Sequence, residues 1–276
     1  MDGRPESTWP EPVRGRFRRR RRRRERRGRG FYLLPHLVTT TGLFFGFYAI
    51  VQAFTGDPDR AALGIVLASV CDALDGRLAR MARSTSRFGL EYDSIADIVS
   101  FGVAPAVLAF SAGGLHGLGR VGLVMAFLYV AGAGLRLARF NVAPSRYHGR
   151  FEGMPSPAAA GMVASTQWFV SFLREHGIAV DVPAPLIAAG AAALGLLMVS
   201  SIPYRSFKEI DLRHSYGTLV IVVFAVALVI QEPSLTLFAI GLAYALSGPV
   251  EWVWRWFTRR PLEEIREPLA PESVQG

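Results

Sequence analysis

The sequence predicts an all-α integral membrane protein with about eight transmembrane helices. Of its 276 residues, 51% are hydrophobic, and the mean hydropathy is positive. Long apolar runs recur along the chain at lengths near the ~20 residues that a bilayer-spanning helix needs. Glycine and proline recur inside these runs, which neighbouring helices tolerate in lipid. The composition and the apolar runs therefore indicate a multi-pass membrane protein.

The first 30 residues form an arginine-rich tail that carries the whole excess charge of the chain. They contain 13 Arg and 4 acidic residues, which gives +9, whereas the rest of the chain has 18 basic and 18 acidic residues. Seven consecutive arginines run from Arg18 to Arg24. Such a segment is expected to be disordered. We interpret it as a cytoplasmic anchor for anionic lipid headgroups, in preference to the alternative of a nucleic-acid-binding tail.

Eight apolar segments follow the tail, and each is a candidate membrane span. Their approximate bounds are 34–55, 60–80, 92–112, 118–139, 155–173, 183–201, 216–231 and 234–254. The basic residues between them are distributed unevenly. The predicted outer loops contain only Arg60, Arg120 and Arg174 out of 31 Lys and Arg. The positive-inside rule therefore places both termini on the cytoplasmic side of the cell membrane.

Four carboxylates lie at the predicted inner ends of the second and third segments. Asp72 and Asp75 are three residues apart and so share one helix face, and Asp93 and Asp97, four apart, share another. Ionisable groups in membrane spans are energetically expensive and normally face a partner or a cavity. If the two helices pack through these faces, the four carboxylates meet at the cytoplasmic membrane face.

Small residues accompany the carboxylates and would let the two helices approach closely. Clustered carboxylates repel one another unless cations neutralise them, and oxygen ligands suit hard cations such as Mg²⁺, Mn²⁺ or Ca²⁺. Two such ions about 3.5–4 Å apart form a clamp for displacement at phosphorus. The pattern therefore indicates phosphoryl-group chemistry.

The stretch that contains these aspartates resembles the CDP-alcohol phosphatidyltransferase family. The family motif is D-x2-D-G-x2-A-R-x8-G-x3-D-x3-D, and all eight of its fixed positions are matched. They are Asp72, Asp75, Gly76, Ala79, Arg80, Gly89, Asp93 and Asp97. Four further stretches, at 94–106, 134–142, 151–160 and 201–208, look like the phosphatidylserine synthase branch. The resemblance covers about residues 31–210.

The resemblance implies a domain organisation. Residues 31–210 would form the six-helix membrane domain of the family, which usually makes homodimers. Residues 1–30 and 259–276 would be cytoplasmic tails, and 211–258 would add two further spans. The resemblance identifies nothing specific in the last two spans or in the tails.

The resemblance also implies an activity. The phosphatidyl group of CDP-diacylglycerol would pass to the hydroxyl of L-serine, with two Mg²⁺ or Mn²⁺ ions bound by Asp72, Asp75, Asp93 and Asp97. Asp97 would also act as the general base. Asp72, Gly76, Ala79, Arg80 and Gly89 would accommodate the nucleotide, and Arg80 would contact phosphate.

Two features are not fixed by the motif. Related enzymes often have P-N-x-x-T-x-x-N in the first span, but here His36 and Gly42 replace the two asparagines. On the fourth segment, Arg136 and Arg139 share a helix face. One of them is a candidate to bind the serine carboxylate or a lipid phosphate, unless both only contact headgroups. Asn141 is a further candidate for acceptor binding.

Two alternatives to serine transfer remain at this level. The first is the same chemistry with another acceptor, such as glycerol 3-phosphate or an inositol phosphate. The second is an ion or proton transporter that uses the buried acids. Transporters commonly show internal repeats with broken helices, and the sequence shows no such repeat, so the motif favours an enzyme.

Overall fold

A bundle of long helices makes up the computed structural model, which describes residues 36–82, 87–142, 150–178, 180–205, 224 and 227–258. Seven helices have defined bounds. They are α1 His36–Thr55, α2 Pro58–Ala82, α3 Arg87–Ser111, α4 Arg120–Val142, α5 Ser156–Glu175, α6 Ala184–Val199 and α7 Pro233–Thr258. Residues 227–231 are also helical, so the described ranges contain eight helices. The fold is that of an all-α membrane protein, as predicted.

The helices coincide with the predicted apolar segments and extend past several of their ends. Within the described ranges, α1, α3, α4 and α7 are long and apolar enough to cross a membrane, and α6 is a shorter apolar helix. The 25-residue helix α2 also has the length, but it carries the polar residues of the aspartate motif. Most of the predicted seventh span, 216–231, and both predicted tails lie outside the described residues.

Polar contacts show which helix ends lie together. Thr39 at the start of α1 bonds to Asp75 near the end of α2, and Asn141 at the end of α4 bonds to Ser94 near the start of α3. Arg139 reaches the carbonyl oxygen of Val199 at the end of α6. Successive helices from α1 to α6 therefore alternate in direction.

Helix α7 runs in the same direction as α6. Its C-terminal part reaches the same end of the bundle, where Glu251 pairs with Arg150. A chain that leaves α6 at this end must return to the opposite end before α7 begins. The predicted seventh span would make that return.

Small residues form the interior, and large apolar residues face outward. Most of the buried apolar residues are alanines, whereas Phe, Leu, Val and Trp dominate the exposed apolar residues. This distribution is expected in a bilayer, where helices associate through close backbone packing rather than through the burial of large side chains. Trp252, Trp254 and Trp256 are exposed near the end of α7, and tryptophan is enriched where a spanning helix meets the membrane interface.

Helices α4 and α6 cross closely. A Cβ atom built on Gly132 would lie 2.4 Å from the carbonyl oxygen of Gly195, and one built on Gly195 would lie 2.7 Å from that of Leu128. No side chain can occupy such a gap, so the two backbones touch directly. This crossing fixes the position of α4, whose C-terminal part carries Arg136 and Arg139.

Helix α3 contains a π-helical turn, Ile98–Val103, directly after Asp97. The hydroxyl of Tyr129 on α4 donates to the carbonyl oxygen of Phe101 at 3.2 Å. An α-helical ladder would bond this carbonyl to the amide of residue 105, but Pro105 has no N–H. The contact from α4 therefore supplies a missing hydrogen bond at this irregular turn. Such turns are frequent at functional sites.

A two-stranded antiparallel ribbon lies at the end of the bundle that carries the aspartates. Strand β1, Arg150–Glu152, pairs with β2, Pro203–Arg205, so that Phe151 lies opposite Tyr204. The ribbon joins the start of α5 to the segment after α6. The sequence analysis did not predict it, because three-residue strands have no periodicity that can be recognised.

We expect Gly132→Val to destabilise the protein, because the new side chain would collide with the backbone of α6. Overpacking of this kind typically costs about 1–3 kcal/mol of unfolding free energy. Thermal unfolding of the purified protein in detergent would measure the loss. Gly190→Ala on α6 is the matched control, since a Cβ atom there meets nothing within 4 Å. Equal stability of the two variants would contradict the proposed crossing.

Candidate metal centre and active site

Three of the four predicted metal ligands come together where α2 meets α3. One carboxylate oxygen from each of Asp72, Asp75 and Asp93 can be chosen so that all three lie within 4.8 Å of one another. Asp75 is buried, with 6% of its surface exposed, and the other two are partly buried. The helical spacings described above produce this arrangement, because each pair of acids shares the face that its helix turns toward the other.

Helix α1 supplies a hydrogen bond to the cluster. The hydroxyl of Thr39 donates to Oδ2 of Asp75 at 2.9 Å, and both side chains are buried. A hydrogen bond to a charged group in a buried site is stronger than one between neutral groups. Thr39 therefore orients Asp75.

The first span approaches the site through small residues. A Cβ atom built on Gly46 would lie 2.3 Å from the Oγ atom of Ser100, in the π-helical turn. The Cβ atom of Gly42 would lie 3.3 Å from the Cβ atom of Cys71, the residue that precedes Asp72. Glycine at 42, where relatives often have asparagine, thus brings the backbone of α1 against α2 beside the carboxylates.

Aromatic side chains cluster beside the start of α3. The rings of His36 and Phe88 meet edge to face, and Phe88 stacks on Tyr92 with ring centroids 5.9 Å apart. The hydroxyl of Tyr92 lies 3.0 Å from that of Thr40. His36 therefore contacts α3 at the turn before Asp93, in the neighbourhood of the carboxylates.

Asp97 lies one helical turn beyond Asp93, outside the three-carboxylate cluster. It interacts electrostatically with Asp72, Asp75 and Asp93, and also with the guanidinium group of Arg136 on α4. Asp97 is therefore within electrostatic range of both the acidic cluster and a cation. This position is compatible with its predicted role as a base, although it distinguishes Asp97 from the three clustered acids.

The two arginines that share a face of α4 have different partners. Arg139 pairs with Glu152 of the ribbon and donates to the carbonyl oxygen of Val199. Arg136 donates to the hydroxyl of the buried Ser156 at 3.2 Å, and its Nε atom is buried with no hydrogen-bond partner among the described residues. Arg136 thus retains donor capacity near the acids.

The structure describes the remaining predicted site residues only in part. The amide of Asn141 donates to the hydroxyl of Ser94 at 2.9 Å, so this predicted acceptor contact holds α4 to α3. Gly76 and Gly89 lie on α2 and α3, close to the aspartates in sequence. Ala79 and Arg80 belong to α2, but their side chains lie outside the described part of the structure. The predicted contact of Arg80 with phosphate stays a prediction.

The donor set fits a divalent metal ion. Three carboxylates from two helices supply only oxygen ligands, which hard divalent cations prefer. Their mutual repulsion favours a cation between them, because isolated negative charges are costly inside a membrane bundle. Thr39 holds one of these ligands, Asp75, through a hydrogen bond, and metal ligands in proteins are usually held in this way by a second residue.

Comparison with known proteins agrees with this geometry. The family model for CDP-alcohol phosphatidyltransferases matches residues 32–202, which include all four aspartates. The chain belongs to the CDP-alcohol phosphatidyltransferase family. The match ends within the connection between α6 and β2, so α7 lies beyond it.

Curated relatives cover most of the chain. A protein from Helicobacter pylori is 34% identical over 224 residues, which are 81% of this chain and 92% of the relative. One from Mycobacterium tuberculosis is 31% identical over 257 residues, 85% of this chain and 83% of the relative. One from Bacillus subtilis is 34% identical over 176 residues, 64% of this chain and 92% of the relative. All three are named CDP-diacylglycerol–serine O-phosphatidyltransferase.

Sequence reasoning did not assign a role to several residues around the site. Thr39 was only a match to the first-span pattern, and Glu152 and Glu251 had no predicted role. Their partners lie 36, 13 and 101 residues away, respectively, as the numbering of Asp75, Arg139 and Arg150 shows. No local spacing could reveal such pairs. Correlated changes among relatives would be the signal to look for.

We expect Thr39→Val to weaken metal binding by about 10- to 100-fold, as removal of a residue that orients a metal ligand typically does. Thr39→Ser keeps the hydroxyl and should bind almost normally. Electron paramagnetic resonance of free Mn²⁺ would measure binding directly, without dependence on activity.

The matched control for this experiment is Thr41→Val on the same helix. The hydroxyl of Thr41 donates only to the carbonyl oxygen of Leu37 within the described contacts, and the residue is exposed. Unchanged Mn²⁺ affinity in Thr39→Val, with Thr41→Val also unchanged, would refute the role of Thr39.

Proposed function

We propose that this protein transfers the phosphatidyl group of CDP-diacylglycerol to the hydroxyl of L-serine and releases CMP. The observation that carries the proposal is the cluster of Asp72, Asp75 and Asp93, within a family motif that is matched at all eight positions. The names of the relatives support serine as the acceptor. Membership of the family gives no support to the alternative of an ion transporter.

The carboxylates would hold the divalent ions, two Mg²⁺ or Mn²⁺ in our proposal, with Asp72, Asp75 and Asp93 as the main ligands and Asp97 at the edge. Bound ions would neutralise the negative charge of the pyrophosphate and of the leaving group. Thr39 keeps Asp75 in position through its hydrogen bond.

Asp97 is the proposed general base. Its carboxylate would accept the proton of the serine hydroxyl as the hydroxyl oxygen forms a bond to the phosphorus that carries diacylglycerol. The bond from this phosphorus to the oxygen of CMP then breaks, and CMP leaves with the electron pair. A base one helical turn from the clustered acids can reach a hydroxyl that is held beside them.

Arg136 is the proposed partner of the serine carboxylate. Its guanidinium group lies within electrostatic reach of Asp97 and Asp72 and retains a buried donor, whereas Arg139 is engaged with Glu152. Guanidinium groups are well suited to bind carboxylates through two parallel hydrogen bonds. The substrate hydroxyl would then be directed toward Asp97, and Asn141 would support this region through Ser94.

The nucleotide and the membrane complete the proposal. Gly76, Ala79 and Gly89 would leave room for cytidine and ribose, and Arg80 would contact phosphate. The uneven distribution of basic residues supports a site on the cytoplasmic side of the cell membrane, with both termini on that side. We further propose that residues 31–210 are the catalytic membrane domain and that the protein is a homodimer.

The acceptor is tested with purified protein, CDP-diacylglycerol, Mn²⁺ or Mg²⁺, and a panel of labelled alcohols. We expect phosphatidylserine and CMP in equal amounts with L-serine. If product forms only with glycerol 3-phosphate or an inositol phosphate, then that alcohol, and not serine, is the acceptor. No transfer to any alcohol, from folded protein with metal present, would refute the proposed chemistry.

We expect Asp93→Asn to abolish the formation of phosphatidylserine while the protein remains folded. The substitution keeps the shape of the side chain but removes one of three charges that would bind the metal. Product formation is measured together with thermal unfolding. If the variant forms phosphatidylserine at the wild-type rate, Asp93 is not a required metal ligand.

We expect Arg136→Ala to raise the KM for serine by roughly 10- to 100-fold, the effect of losing a hydrogen bond to a charged group. The KM for CDP-diacylglycerol should change little. Arg120→Ala, at the opposite end of α4, is the control. A raised KM for CDP-diacylglycerol with an unchanged KM for serine would instead assign Arg136 to the lipid phosphate.

A further inference from the structure

The last span, α7, contacts the bundle along one face, although it lies beyond the family match at residues 32–202. The hydroxyl of the buried Tyr204 donates to the carbonyl oxygen of Ala245 at 2.9 Å. A Cβ atom on Gly248 would lie 2.4 Å from the ring of Tyr204, so the ring lies directly against the backbone of α7. The residue that follows the family match by only two positions is thus held by a helix outside it.

An ion pair adds to this contact near the end of α7. The carboxylate of Glu251 lies 2.8 Å from the guanidinium group of Arg150 in β1 and 2.7 Å from that of Arg255. The side chains of Glu251 and Arg150 are mostly buried, with 19% and 17% exposed. Partly buried, hydrogen-bonded ion pairs are more specific than exposed ones. Both strands of the ribbon are therefore attached to α7.

The ribbon also contacts α4. Glu152 pairs with Arg139, and Ser156, which begins α5 four residues later, accepts a hydrogen bond from Arg136. The two arginines on one face of α4 are thus held by residues on either side of a tight turn at Gly153, whose φ is +76°. A continuous set of contacts leads from Glu251 through Arg150 and the turn to Arg136.

Helix α7 also lies close to Arg136 directly. The ring of Tyr244 packs against that of Tyr204, with centroids 5.4 Å apart, and the hydroxyl of Tyr244 lies within electrostatic range of the guanidinium group of Arg136. The last span therefore approaches the proposed acceptor residue along two routes, through the ribbon and through Tyr244.

We propose that α7 is a clamp on the ribbon that sets the position of Arg136, and that Glu251 is a positioning residue for the acceptor substrate. This inference rests on the proposed function, because it takes Arg136 as the partner of the serine carboxylate. Glu251 touches no reacting atom. Its loss should weaken the binding of serine and leave the metal site and the binding of CDP-diacylglycerol intact.

The test is Glu251→Gln in the full-length protein. We expect the KM for serine to rise about threefold to tenfold, in the range of coupling between residues in one ion-pair network. The KM for CDP-diacylglycerol and the Mn²⁺ concentration for half-maximal rate should not change. Glu251→Asp should restore part of the serine affinity. Glu232→Gln, an exposed glutamate just before α7, is the matched control.

A double variant tests the route through the ribbon. If Arg150 and Glu251 act as a pair, Arg150→Gln combined with Glu251→Gln should raise the KM for serine no more than the stronger single change does. Additive effects of the two changes would contradict the pairing and overturn the proposed clamp.

These experiments distinguish a failure of the proposed clamp from a failure of the proposed function. If the wild-type protein makes no phosphatidylserine, the proposed function fails. If the wild type makes it and folded Glu251→Gln has a normal KM for serine, only the clamp fails. The clamp also fails if Glu251→Gln raises both KM values and lowers thermal stability together, because a merely structural role would produce that result.

Discussion

The repulsion between carboxylates that are forced together inside a membrane bundle is the constraint on which this structure depends. One carboxylate oxygen from each of Asp72, Asp75 and Asp93 lies within 4.8 Å of the others, and burial between the helices limits the access of water to their charge. Two arrangements reduce the cost. Helix α1 contributes the hydroxyl of Thr39, which it can do only because Gly42 and Gly46 let it lie against α2 and α3. The remaining negative charge favours a metal ion.

Much of the fold and part of the site could be predicted from sequence, because both depend on local patterns. The apolar runs fixed the approximate bounds of the helices, and the three- and four-residue spacings placed each pair of acids on one face. The close approach of Asp72, Asp75 and Asp93 then required only that the two faces pack together. Local spacing also placed Arg136 and Arg139 on one face of α4.

The spacing of residues in the sequence does not show which partner each polar side chain contacts. Arg136 and Arg139 are equivalent by sequence, but Glu152 binds one and Ser156 the other, because the ribbon turns sharply between them. The carbonyl oxygen of Phe101 in the π-helical turn accepts a hydrogen bond from Tyr129 of another helix. Such contacts form only after distant segments dock, so no single stretch of sequence specifies them. They are also the contacts that distinguish a candidate acceptor residue from a structural one.

The position of α7 limits the role that this helix can have in the reaction. The Bacillus subtilis relative is matched over 92% of its length by 64% of this chain, so a much shorter protein is named for the same reaction. The family match at residues 32–202 contains the four aspartates and ends before α7. We therefore assign to α7 an effect on the geometry of the site and not on the chemical step itself. Because Glu251 and Tyr204 link α7 to the ribbon beside Arg136, rather than to the aspartates, its influence should fall on the acceptor and not on the metal or the nucleotide.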